Sequence, residues 1–215
     1  MAKKRSRKWI PNSLVALSLL FVSSSAMAGQ APLSGAIFTT KIDGIPVNSN
    51  VYDHKEDVYL NGGPQPNRKC DAAGMSNGVY YFQVTDPSGK VLLSSDPIAD
   101  RRVEVTAGVF IDNPSVTNHS VAQDDPSIPI ARCGGYNVQL APFYNTPNPG
   151  GEYKVWIIRL GDYDASGLLG SFGFIASKTK TDNFKVLNPA APDTDNDGVP
   201  DSEDPCPADP DLSCG

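Results

Sequence analysis

The chain has 215 residues, 18 Lys+Arg, 24 Asp+Glu and a formal charge of −6. Five basic residues (Lys3, Lys4, Arg5, Arg7, Lys8) stand in the first eight positions; without them 13 basic residues face 24 acidic ones. Such an excess disfavours nucleic acid or an anionic membrane surface as partner, because both need a positive face, and it favours a cation.

The first 28 residues read as an address. After the basic start, Leu14 to Val22 form a short apolar run, three serines follow, and Ala26-Met27-Ala28 supplies a small-x-small end. These are the three parts of a secretory signal peptide, and the run is shorter than the ~20 apolar residues of a bilayer span. Cleavage after Ala28 would leave Gly29 at the new N-terminus, with no Cys there to carry a lipid. The expected location is secreted or extracellular, with the periplasm or cell surface as alternatives.

Export makes disulfides the expected state of Cys70, Cys133, Cys206 and Cys214. Four cysteines allow three pairings; the favoured one joins Cys70 to Cys133, stapling distant parts of the body, and Cys206 to Cys214, closing a small loop. Zinc is the rival reading, but there is no CxxC spacing, and His54 and His119 do not flank the cysteines.

From residue 29 to about 190 the chain alternates turn residues with short runs rich in Val, Ile, Tyr and Phe. In order, strands are expected at Ala36–Thr40, Val58–Leu60, Gly78–Thr85, Val103–Val105, Val109–Ile111, Val138–Ala141, Glu152–Leu160, Phe172–Ile175 and Phe184–Leu187. Asp86-Pro87-Ser88-Gly89 is a turn, returning the chain through Val91-Leu92-Leu93. Glu152–Leu160 is apolar on both faces, which predicts a central strand. Gly62-Gly63 and Gly150-Gly151 read as turn glycines. No window supports a long amphipathic helix. The expected fold is all-β: a single antiparallel β-sandwich, immunoglobulin-like or prealbumin-like, over residues 29–190.

Gly78-Val79-Tyr80 and Gly151-Glu152-Tyr153 each follow a loop and open a strand. They resemble the Gly-x-Tyr strand openings of prealbumin-like and Cna-B-type modules of bacterial surface proteins. Some of those modules carry a Lys–Asn crosslink, a role that the resemblance would give to Lys41 with Asn183 or Asn188.

Residues 191–215 carry the sharpest chemistry. Asp193, Asp195, Asp197, Asp201 and Asp204 fall at relative positions 1, 3, 5, 9 and 12, with Gly198 at the bend. Alternate carboxylates on a tight loop supply the hard oxygens that calcium prefers, and Val199 offers its backbone carbonyl. Magnesium is stricter in geometry, and zinc and copper prefer nitrogen and sulfur. Flanking prolines exclude the helices of an EF-hand. The pattern DxDxDGxxDxxDxCP over residues 193–207 resembles a thrombospondin type 3 repeat. The resemblance implies that the five aspartates ligate calcium and that Cys206 is disulfide-bonded; one repeat stands here where the family has arrays.

No nucleophile elbow, HExxH or phosphate loop is present, so no enzyme is expected. His119 reads as a surface-loop residue and His54 as a solvated one. Two functions follow: a calcium-binding structural or cell-adhesion protein facing an extracellular protein or glycan surface, or a carbohydrate- or small-ligand-binding sandwich, with a hydrolase accessory domain as a further alternative. In the second, Tyr52, Tyr59, Tyr136, Tyr144 and Tyr163 are candidates for an aromatic platform, although most are expected to be partly buried strand-end residues.

Overall fold

A computed structural model describes residues 33–63, 69–70, 74–125 and 133–187. Its ten strands are β1 (Ala36–Thr40), β2 (Val51–Tyr52), β3 (Tyr59–Gly63), β4 (Gly78–Thr85), β5 (Arg102–Thr106), β6 (Val109–Ile111), β7 (Val121–Gln123), β8 (Tyr136–Gln139), β9 (Glu152–Arg159) and β10 (Thr179–Val186). They form a four-stranded sheet ordered β1-β3-β8-β7 and a six-stranded sheet ordered β2-β10-β9-β4-β5-β6. The all-β sandwich read from the sequence is therefore the fold. One pairing departs from the antiparallel rule: β2 runs parallel to β10, Val51 opposite Lys185. Among the described residues no helix is long and apolar enough to cross a membrane.

Alternation builds the core. Tyr80, Phe82 and Val84 of β4 and Tyr153, Val155 and Ile157 of β9 turn inward, to meet Leu60 of β3 and Val138 of β8 from the opposing sheet. Tyr153 stacks on Phe184 with ring centroids 5.2 Å apart, and Phe143 and Tyr52 meet Phe184 edge-on. Offset stacking and edge contacts are the arrangements that ring quadrupoles favour. Gly62 is not a turn residue. It lies inside β3 opposite Ile37, and a Cβ there would fall 2.5 Å from the Phe110 ring. The missing side chain is what lets Phe110 close the core at that point.

The central position expected of β9 is observed, between β10 and β4. Its second apolar face is covered by the segment that follows it. Tyr163 sits edge-on between Tyr81 and Phe174, and Gln83 donates to the Ser171 carbonyl at 2.8 Å. Ile158 beneath is fully buried. Phe172–Ile175, expected as a strand, belongs to this cover: it makes one bridge, Ser171 to Phe174, and Phe172 has a φ of 52°. Apolar spacing in this stretch serves packing onto the sheet rather than pairing within it.

Asp86 fixes the expected turn. Its Oδ1 accepts the Lys90 and Val91 amides at 2.7 and 2.8 Å, and its Oδ2 accepts from Ser88. Burial opposes its charge, but these donors outweigh burial and hold the carboxyl below the usual carboxylate range. The return through Leu92 is a single bridge to Thr85, not a strand. The unpaired edge of β1, the terminal strand of its sheet, is blunted from the other sheet: Asp182 of β10 accepts the Thr39 amide at 2.8 Å, occupying a donor that a passing strand would otherwise seek.

Candidate functional site

The calcium candidates Asp193, Asp195, Asp197, Val199, Asp201 and Asp204 lie outside the described residues, as do Cys206, Cys214 and residues 1–32. Cys70 and Cys133 are bonded as expected, with Cα atoms 5.1 Å apart across a sequence separation of 63. The bond ties the segment after β3 to the segment entering β8, two strands that pair side by side. Lys41 and Asn183 are both exposed, and Asn188 lies outside the described residues.

The five tyrosines do not form a platform. Tyr52 and Tyr59 are buried, Tyr136 is half-buried, and Tyr163 packs between Tyr81 and Phe174; of the five, Tyr144 alone is largely exposed, at 64%. The Tyr52 hydroxyl donates to the Ser49 carbonyl at 2.6 Å, and burial raises its pKa.

Two polar clusters within the sandwich carry chemistry that the sequence did not signal. The first surrounds His119, which is not a surface residue: its side chain is 4% exposed. It stands just before β7. Its Nδ1 faces the Gln139 carbonyl at 2.9 Å, its Nε2 faces Asp96 Oδ2 at 3.0 Å, and its ring meets Phe82 edge-on. Both ring nitrogens thus point at oxygen acceptors. With both nitrogens engaged, His119 ties three segments together: the return after β4, the entry to β7 and the end of β8. Arg101, buried before β5, brings Nε to 3.7 Å from Asp96 Oδ1. Burial lowers the Arg101 pKa, against the pull of Asp96 and Tyr163, which favour its charge. A polar cleft of about 380 Å³ opens beside this cluster, lined by Asp96, Asp100, Asn118, Ser120 and Gln139 among others.

The second cluster lies on the outer face of the four-stranded sheet. Asp124, 3% exposed, accepts Asn61 Nδ2 and Asn137 Nδ2 through one oxygen, both at 2.9 Å. Asn61 also donates to Asn137 Oδ1 at 2.6 Å. Because Leu60 and Val138 face the core, Asn61 and Asn137 must face away from it. Gly44, with a φ of +80°, closes over the carboxylate; a Cβ there would lie 2.5 Å from Asp124 Oδ1. Asp124 Oδ2 is buried without a hydrogen-bond partner. Burial raises the Asp124 pKa, and the two amides only partly offset it.

The sign of the pH dependence follows. A raised folded-state pKa means that the native state binds this proton more readily than the unfolded chain, so Asp124 favours folding at low pH, and that contribution is lost as pH rises through the folded pKa. The unfolding free energy of the parent, measured against Asp124→Asn by urea melts from pH about 7 down to about 4, is expected to shift in the parent's favour as pH falls. A difference that does not move with pH would count against a charged, desolvated Asp124.

Among the described residues no three His, Cys, Asp or Glu side chains converge to hold a metal. No family model, no curated protein and no solved structure matches the chain.

Proposed function

We propose that the chain is an exported calcium-binding structural or adhesion protein: a β-sandwich body with a C-terminal segment that calcium orders. The observation that carries the reading is the spacing of Asp193, Asp195, Asp197, Asp201 and Asp204 around Gly198. Five carboxylates within twelve residues repel one another until a divalent cation neutralises them, so binding and ordering are one event. A sandwich closed by a disulfide, in a chain with an export-type leader, agrees with an oxidising destination where calcium is plentiful. Extracellular calcium modules bind in the range of about 10⁻⁴–10⁻³ M.

Calorimetric titration of the exported chain is expected to show calcium binding in that range, weakened several-fold by Asp197→Asn. Absence of heat at millimolar calcium, or unchanged affinity in the variant, would remove this reading. Thermal melts of the same samples report whether the body senses the ion. A small-ligand-binding sandwich is the second reading, favoured by the polar cleft beside His119 rather than by an aromatic platform.

A further inference from the structure

A groove of about 520 Å³ runs over one end of the six-stranded sheet, between β2, β10 and β9. Its charged lining is Lys154, Lys185 and Glu152, with Val51 and Pro87 as apolar walls. Glu152 stands opposite Lys185 in the β9–β10 register, so it offsets one of the two ammonium groups, while Lys154 is held over the Trp156 ring, 5.5 Å from its centroid. The groove lies where the chain leaves the sandwich. The Leu187 amide donates to the Tyr52 carbonyl at 2.9 Å, fixing the exit at the rim beside residues 183–185.

We propose that the acidic C-terminal segment of this chain, residues 188–215, docks on this groove with its carboxylates facing Lys154 and Lys185. Three observations lead there. The segment holds eight acids and no Lys or Arg between positions 193 and 211. The rest of the exported chain has 16 acids and 13 bases, a mild negative excess, whereas this groove sets two lysines against a single glutamate. The tether also fits: Asp193 is six residues beyond Leu187, a reach of up to about 20 Å, whereas neighbouring strands lie about 4.8 Å apart. Each exposed ion pair is weak, but a short tether supplies a millimolar effective concentration, so a few such pairs suffice. Calcium then competes. A carboxylate that ligates the ion no longer offers its charge to a lysine, so calcium loading lifts the segment from the groove. That response to calcium, though not the docking itself, rests on the function proposed above.

Zero-length carbodiimide crosslinking of the full exported chain, read by peptide mass spectrometry, tests the docking. In chelator and low salt, Lys154 and Lys185 are expected to crosslink to acids of 193–211 within single chains, at several times the yield of the exposed Lys69. Sodium chloride at about 0.5 M should lower that yield several-fold by screening. No such crosslinks, yields equal to those of Lys69, or crosslinks only between isotopically distinct copies would overturn the proposal. Calcium separates the two ideas. Crosslinks that fall with calcium support both, whereas crosslinks that persist unchanged keep the docking and speak against the calcium reading.

Discussion

Removal of the Cys70–Cys133 bond, as Cys70→Ser/Cys133→Ser to avoid a lone thiol, is expected to lower the unfolding free energy by about 4 kcal/mol. The bond closes 63 residues of sequence, and chain-entropy accounting for a loop of that length gives about this value. For a chain of this size the shift corresponds to roughly 10 °C in the thermal midpoint. The location supports a large effect, because the bonded segments leave β3 and enter β8, strands whose mutual pairing is short: Tyr59 with Gln139 and Leu60 with Val138. In the unfolded chain nothing else holds those segments near one another. The check is a pair of melts, parent and double variant, at matched pH and without reductant. A fall of less than about 2 °C would mean that the rest of the sandwich already confines both segments.

Phe184→Ala is expected to cost about 3–5 kcal/mol, the range for emptying a buried aromatic site. Phe184 is 2% exposed and touches Tyr153, Phe143 and Tyr52, rings from β9, the β8–β9 connection and β2. Truncation leaves a cavity and removes three ring contacts, each worth about 0.5–1.5 kcal/mol beyond its area. Phe184→Leu, which keeps most of the volume, should lose roughly half as much. Urea unfolding with an unchanged slope measures both losses. A cost under about 1 kcal/mol for the alanine variant would show that the cluster closes over the gap. The same substitution loosens the anchorage of β2, whose parallel pairing with β10 is only two residues long.

Much of this architecture was legible before any coordinates. The expected spans of β1, β4 and β6 match the strands to the residue and that of β9 runs one residue long; β4 and β9 are legible because core-facing side chains alternate along them. The doubly apolar face of Glu152–Leu160 correctly implied a covered, central strand. The first half of β10, Thr179–Asn183, was not legible: Thr-Lys-Thr-Asp-Asn has no apolar alternation, and its inward Asp182 serves β1 rather than the core. β2 and β7, two and three residues long, carry too little pattern to be read alone.

The sequence by itself determined the fold class, the Cys70–Cys133 pairing as the favoured one, and the carboxylate spacing of residues 193–204. All three are local or compositional: alternation, residue count and short-range spacing. Tertiary structure alone decided the roles of His119, Asp124 and Gly62. His119 sits between polar neighbours in Asn118-His119-Ser120 and reads as a surface-loop residue. It becomes a buried brace only because Asp96 and Gln139, 23 and 20 residues away, are brought to its two nitrogens. Asp124 looks like one of an ordinary surface pair with Asp125 until Asn61 and Asn137 arrive from β3 and β8. Gly62 beside Gly63 looks like a turn, and only the Phe110 ring packed on it explains why no side chain fits. A residue's partners depend on which strands lie side by side, and that is settled by the whole chain closing around one core.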